Sequence, residues 1–84
     1  MAWKIEFEKQ ALKEFAKIDS AAQKKIISYL DERIATQDDP RMFGEPLRSK
    51  LAGLWRYRVG DYRIVVEIHD NKLVVLVVRN WATE

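Results

Sequence analysis

The chain has 84 residues, of which 48% are hydrophobic and 33% are charged, and its formal net charge is +2. This length predicts a single domain over residues 1–84 with a core of modest size. The lack of cysteine excludes disulfides and thiolate metal sites and is typical of a cytoplasmic protein. No signal peptide is recognisable, and no apolar run is long enough to span a membrane.

The first forty residues predict one strand and two helices. Residues 3–7 alternate apolar and polar side chains, as a half-buried strand does. Residues 8–17 predict a helix whose apolar face consists of Ala11, Leu12, Phe15 and Ala16. Ser20-Ala21-Ala22-Gln23 is a capping-box pattern that begins a second helix. The apolar stripe of that helix consists of Ile26, Ile27, Leu30 and Ile34.

The second half of the chain predicts a three-stranded meander. Residues 37–46 contain two prolines and a glycine and are interpreted as a loop. Strands follow at 54–59, 61–69 and 72–79, joined by tight turns at Gly60-Asp61 and Asp70-Asn71. The predicted fold is α+β, ordered β-α-α-β-β-β. A twisted antiparallel sheet carries the αα-hairpin on one face.

Positive charge is concentrated in the second half. Residues 1–40 contain seven Lys and Arg against eight Asp and Glu, whereas residues 41–79 contain eight against four. Residues 48–63 alone carry five cations and one acid, Asp61. Such a distribution predicts a local electrostatic footprint for an anionic partner.

Three arginines are predicted to share the sheet face away from the helices. A two-residue turn with Gly60 first suits type II′ geometry and places Arg58 directly opposite Arg63, with Arg56 diagonal to Arg63. Like charges in opposed positions destabilise a strand pair, so this arrangement favours a bound anion such as phosphate. The alternative is a solvated strand face whose arginine stems cover apolar neighbours.

The remaining candidates carry weaker signals. Arg41, Arg48 and Lys50 are loop cations that either are ordinary surface residues or widen the footprint for a polyanion. His69 is the only histidine and adjoins a turn, so we expect no metal site. Trp55 and Tyr57 alternate away from Arg56 and are expected to pack in the core rather than to stack on bases.

The motifs together resemble the RelE/ParE superfamily of type II toxins. The similar segments are Ala11-Leu12-Lys13-Glu14-Phe15, the stretch 47–58, Gly60-Asp61-Tyr62-Arg63-Ile64-Val65 and the closing strand at 72–79. They cover about residues 2–79. The most specific of them is Leu-Trp-Arg-Tyr-Arg-Val-Gly-Asp-Tyr-Arg at 54–63.

This resemblance implies a RelE-like fold and a toxin neutralised by a RelB-like antitoxin. RelE-like members are ribonucleases that cleave mRNA in the ribosomal A site. Arg56, Arg58 and Arg63 match the family's catalytic positions, and Arg48, Lys50 and Arg79 are expected to bind RNA. No cofactor is implied. Two alternatives stay open: a ParE-like toxin that poisons gyrase, and a noncatalytic module that binds an antitoxin.

The sequence departs from the family after Arg79. The family's last strand usually continues as Arg-Val-Gly-His-Arg and then a short tail with a Tyr. Here Arg79 is followed by Asn80-Trp81-Ala82-Thr83-Glu84, so that Ala82 and Thr83 occupy the places of the basic pair. The abrupt change suggests a truncation or frameshift. It predicts that the general acid is missing and that activity is attenuated.

Overall fold

Two helices and a five-stranded sheet make up the computed structural model, which describes residues 3–34 and 39–80. The helices are α1 (Lys9–Ala16) and α2 (Ser20–Tyr29), the second of which continues into a π-helical turn at Leu30–Ile34. The strands are β1 (Lys4–Phe7), β2 (Glu45–Pro46), β3 (Leu54–Val59), β4 (Tyr62–Ile68) and β5 (Lys72–Asn80). Short 3-10 turns span Pro40–Phe43 and Ser49–Leu51. No helix within these residues combines the length and apolar character needed to cross a membrane.

The sheet confirms the predicted α+β class but is mixed rather than wholly antiparallel. Its strand order is β1-β5-β4-β3-β2. β1 pairs in parallel with β5, with Lys4 opposite Lys72, and the other three pairings are antiparallel. A parallel pair requires a long crossover between its strands, and the αα-hairpin begins the connection between β1 and the meander. The expectation of an antiparallel sheet was therefore wrong at β1.

The core lies between the αα-hairpin and one face of the sheet. Its fully buried members come from α1, the α2 segment and the three central strands: Ala11, Ile26, Leu30, Tyr57, Ile64, Val66, Leu73 and Val75. Burial of each large apolar side chain contributes about 1.5–3 kcal/mol. On β3 and β4 the core positions alternate with the opposite face, so Arg56, Arg58 and Arg63 lie on the face away from the helices.

The helices differ in detail from their predicted patterns. Asp19, not Ser20, caps α2, because its carboxylate accepts a hydrogen bond from the Ala22 N–H at 3.3 Å. The Gln23 side chain donates to the Phe15 carbonyl and so ties α2 to α1, instead of completing a capping box. Leu12 and Ile27 were expected in the core but are 53% and 40% exposed. The side chain of Ile34 lies outside the described part of the chain.

The segment predicted as a loop before the meander contains structure that the sequence pattern did not reveal. Its described part, residues 39–46, holds a 3-10 turn and the two-residue strand β2. Tyr57 anchors this turn, since its hydroxyl donates to the Pro40 carbonyl at 2.7 Å and both residues are buried. Burial, followed by the nearby Tyr29, raises the pKa of Tyr57 above its ordinary value. The hydroxyl is a donor at neutral pH, as in any tyrosine, and the raised pKa keeps it a donor in more alkaline solution.

Replacement of this hydroxyl tests the anchor. Tyr57→Phe should lower the free energy of unfolding by about 1–3 kcal/mol, because the buried Pro40 carbonyl loses its donor. Urea denaturation measures the change. Tyr62→Phe is the matched control, since no hydrogen bond of the Tyr62 hydroxyl is found among the described residues. Equal losses in the two variants would show that the anchor contributes nothing.

Candidate nucleic-acid interface

The β3–β4 hairpin sets the register of the arginines as predicted. Val59 pairs with Tyr62 across a two-residue turn in which Gly60 has a φ of 58°. A positive φ at this first position alone fits type II′ geometry. Arg58 consequently lies directly opposite Arg63, and Arg56 is paired with Val65 on the same face. The predicted geometry of these three arginines is confirmed.

Arg79 extends this arrangement to a third strand. It lies opposite Arg63 on the β5 side, so Arg58, Arg63 and Arg79 occupy neighbouring positions across β3, β4 and β5. We call these three residues the arginine row. A β-bulge places Arg79 there: Val65 pairs with Val77 but Val66 pairs with Val75, which leaves Leu76 as the extra residue. The sequence resemblance named Arg79, but nothing in the pattern located it beside Arg63.

Arg63 lies between Arg56 and Arg79 in the positive charge of this face. Burial, followed by the charges of Arg56 and Arg79, lowers the pKa of Arg63 from its ordinary value. The charges of Arg56 and Arg79 therefore repel the charge of Arg63, which is partly removed from water. An anion placed between them would relieve this repulsion, and the planar guanidinium groups suit the oxygens of a phosphate.

An apolar groove runs beside the row on the same face. Its volume is about 270 Å³, and Arg56, Arg63 and Arg79 border it. The apolar lining comes from the sheet and from the segment before β3: Leu47, Leu51, Leu54, Val65, Leu76 and Val77. The face thus offers cations beside an apolar floor, and not a uniformly charged surface.

Two carboxylates form ion pairs with arginines of this face, one with Arg56 and one with Arg79. Glu45 of β2 contacts Arg56 at 2.7 Å between Oε2 and Nη2. Glu14 of α1 contacts Arg79 at 3.3 Å between Oε2 and Nε. The other oxygen of Glu14 accepts a hydrogen bond from the Val78 N–H at 3.1 Å. Sequence reasoning missed both carboxylates, because they are distant in the chain from the arginines that they contact.

The three loop cations Arg41, Arg48 and Lys50 differ in their surroundings. Arg48 and Lys50 are exposed, and the groove residues Leu47 and Leu51 flank them in the chain. Arg41 instead contacts Asp39 at 3.1 Å. Hydrogen bonding from the Arg41 backbone and side chain lowers the pKa of the Asp39 carboxyl.

The other residues considered from the sequence lie apart from the arginine face, by which we mean the part of the sheet surface that carries Arg56 and the arginine row. His69 contacts Glu67 through Nε2 at 2.8 Å. Across residues 3–34 and 39–80, no group of three or more His, Cys, Asp or Glu residues is placed to hold a metal ion. Trp55 and Tyr57 pack on the core side, as expected. The places of the family's basic pair, Ala82 and Thr83, lie outside the described residues.

Solved structures with a similar fold include toxins of toxin–antitoxin systems. The toxin–antitoxin complex RelBE2 from Mycobacterium tuberculosis matches with a TM-score of 0.85 and 24% identity, covering 95% of this chain and 92% of that chain. The RelE–RelB complex from Pyrococcus horikoshii matches with a TM-score of 0.73 and 21% identity over 100% of both chains. The isolated E. coli RelE toxin has a TM-score of 0.73 and 22% identity, covering 94% of this chain and 84% of that chain.

Sequence comparison assigns the family independently of the fold. No protein with a curated description matches this sequence. Residues 5–81 match the ParE toxin family of the type II toxin–antitoxin system parDE. This match spans nearly all of the sheet and both helices, including every arginine of the row. The chain therefore belongs to the ParE toxin family and is a type II toxin of the RelE/ParE superfamily.

Proposed function

We propose that this toxin binds RNA on the arginine face and acts as a ribosome-dependent mRNA endonuclease of low activity in the cytoplasm. The observation that carries the proposal is the arginine row, in which three cations occupy adjacent positions on three strands. Opposed like charges destabilise a strand pair, and a bound anion offsets that repulsion. RNA in the ribosomal A site would supply phosphates at this face.

The reaction proposed is attack of a ribose 2′-hydroxyl on the adjacent backbone phosphate, which cleaves the RNA strand. The 2′-hydroxyl gives up its proton to water, and its oxygen bonds to phosphorus to form a 2′,3′-cyclic phosphate. The bond from phosphorus to the 5′-oxygen breaks, and the leaving oxygen takes up a proton from water. Arg58 and Arg63 would stabilise the charge on the nonbridging oxygens. Arg56 is a poor base for the 2′-hydroxyl, because arginine stays protonated.

Low activity follows from the residues at the end of the closing segment. Ala82 and Thr83 occupy the family positions of a basic pair, and neither side chain can protonate a leaving oxygen as a cationic acid does. The arginine face would thus still bind RNA and stabilise the charge on the nonbridging oxygens. Water would have to donate the proton to the leaving oxygen.

A second candidate is inhibition of gyrase, which the match to the ParE toxin family favours. A cell-free translation reaction run beside a gyrase supercoiling reaction separates the two functions. We expect translation to slow with added toxin while supercoiling continues. Unchanged translation together with blocked supercoiling would replace the first function by the second.

We also propose that a RelB-like antitoxin covers the arginine face. The groove supports this partner, because its apolar floor and bordering arginines fit a segment that carries both apolar and acidic side chains. In the M. tuberculosis and P. horikoshii structures, the related toxins are in complex with their antitoxins. A segment seated here would occupy the cations that RNA requires, so that antitoxin and RNA would exclude each other.

Calorimetric titration with the product of the neighbouring antitoxin gene tests this partner. We expect binding whose affinity falls as salt is added, because interactions between rim charges are screened. Leu54→Asp should weaken binding through the groove floor, whereas Leu12→Asp, an equal change on an exposed α1 side chain, should not. Absence of binding at low salt, or equal effects of the two substitutions, would contradict the proposal.

A further inference from the structure

The two carboxylates that contact the arginine face differ in how firmly they are held. The Glu14 side chain is only 17% exposed and accepts hydrogen bonds from both Arg79 and the Val78 backbone. It joins α1 to the edge of β5, and its removal would leave a backbone donor without an acceptor. Glu14 therefore positions the part of β5 that extends beyond its pairing with β1, and it is not available for displacement.

Glu45 has a different environment. Its side chain is 73% exposed, and its contact within the described residues is the ion pair with Arg56. The register of β2 on β3 places Glu45 directly opposite Arg56. The Arg56 side chain is 26% exposed, so the carboxylate lies at the open side of a cation that faces the groove.

The Glu45 carboxylate binds the Arg56 guanidinium through the same kind of interaction that an RNA phosphate would make. Both are anions whose oxygens accept hydrogen bonds from a guanidinium. Exposed ion pairs are weak, so a polyanion held by neighbouring cations can displace one of them. When Glu45 is displaced, its charge remains close to the incoming anion and repels it.

We propose that Glu45 competes with RNA phosphate for Arg56 and thereby sets the affinity of the face for its substrate. This inference rests on the proposed RNA-binding function. Glu45 is a specificity-determining residue that acts through Arg56. It would disfavour isolated phosphates and single nucleotides, which cannot displace it, relative to RNA strands that engage several arginines together.

Glu45→Gln tests the proposal, because it keeps the side-chain shape and removes the charge. A fluorescent single-stranded RNA oligonucleotide, titrated with toxin at several salt concentrations, is the probe. We expect Glu45→Gln to bind about two- to fivefold more tightly than the unmodified chain at low salt. The slope of log affinity against log salt should steepen by up to about 0.7, the value for one additional neutralised phosphate of a single strand.

Glu67→Gln is the matched control. Glu67 lies on the same sheet face, opposite Leu54, and loses the same charge, but it contacts His69 and not an arginine. It should tighten RNA binding less than Glu45→Gln does. In an Arg56→Ala background, Glu45→Gln should give no more tightening than Glu67→Gln.

The outcomes separate this inference from the function on which it rests. If the unmodified chain binds RNA with a salt slope but Glu45→Gln and Glu67→Gln behave alike, competition by Glu45 is wrong and RNA binding stands. Tightening that persists fully without Arg56 overturns the inference in the same way. If neither the unmodified chain nor Glu45→Gln binds RNA at low salt, both the inference and the proposed function fail.

Discussion

Arg63→Ala should weaken binding of single-stranded RNA by about 10- to 100-fold at low salt. Arg63 is the middle member of the arginine row and is opposed by Arg58 on one side and Arg79 on the other. A hydrogen bond to a charged group contributes about 1.5–3 kcal/mol, and each 1.4 kcal/mol changes affinity about tenfold. The salt slope should fall by about 0.7 if Arg63 neutralises one phosphate. Fluorescence titration over a range of salt concentrations measures both quantities.

The control for this variant is Lys24→Ala, which removes the same charge from a position on α2, on the helical side of the sheet. If only net charge matters, the two variants lose affinity equally and the arginine row has no special role. Arg63→Lys adds a second comparison, since lysine keeps the charge but loses the planar fork. It should bind with an affinity between those of the unmodified chain and Arg63→Ala.

Restoration of the family's basic pair should raise the rate of mRNA cleavage by about 10²–10⁴-fold, the usual contribution of a general acid or base. The variant carries Trp81→Gly, Ala82→His and Thr83→Arg and is extended after Glu84 by a short segment that contains a tyrosine. The substituted side chains would supply the proton that the leaving 5′-oxygen requires. Single-turnover cleavage of mRNA on programmed ribosomes measures the rate.

A protein with the same extension but with Trp81, Ala82 and Thr83 retained is the matched control. It separates the chemistry of the basic pair from any effect of added length. Equal cleavage by the two proteins would contradict the assignment of the missing acid to these positions. RNA affinity should change far less than the cleavage rate, because the arginine row is the same in both.

The sequence predicted the hairpin of β3 and β4 well because two local signals agree there. Alternation of core and polar side chains fixes which residues share a face, and Gly60 fixes the turn. Once both are set, Arg58 and Arg63 must be opposed. The same reasoning placed Trp55 and Tyr57 on the core side, where they are found.

The position of Arg79 was not predictable from alternation, because a bulge intervenes. The register at Ile68–Leu73, carried on without interruption, would pair Arg63 with Val78. Arg79 would then lie opposite Tyr62 on the core side. The extra residue Leu76 shifts the pairing by one and brings Arg79 to the face of Arg63. Nothing in the run of Val and Leu along β5 marks which residue is extra.

The remaining misses arise from local ambiguity and from contacts between distant segments. β2 consists of Glu45 and Pro46 alone, which is too short for any periodicity, so its pairing with Arg56 stayed hidden. The capping-box pattern points to Ser20 as the N-cap of α2, although Asp19 is an equally strong capping residue. Exposure of Leu12 and Ile27 depends on how the αα-hairpin lies on the sheet, which helical spacing does not specify.

Primer extension on programmed ribosomes tests the central claim most directly, namely that the arginine row positions RNA for cleavage. The mRNA should carry a defined codon in the A site and be incubated with the unmodified chain, Arg63→Ala or Lys24→Ala. We predict slow cleavage at that codon by the unmodified chain and by Lys24→Ala, and none above the ribosome background with Arg63→Ala. Cleavage that survives Arg63→Ala unchanged, or no cleavage by the unmodified chain while it blocks gyrase supercoiling, would contradict this claim.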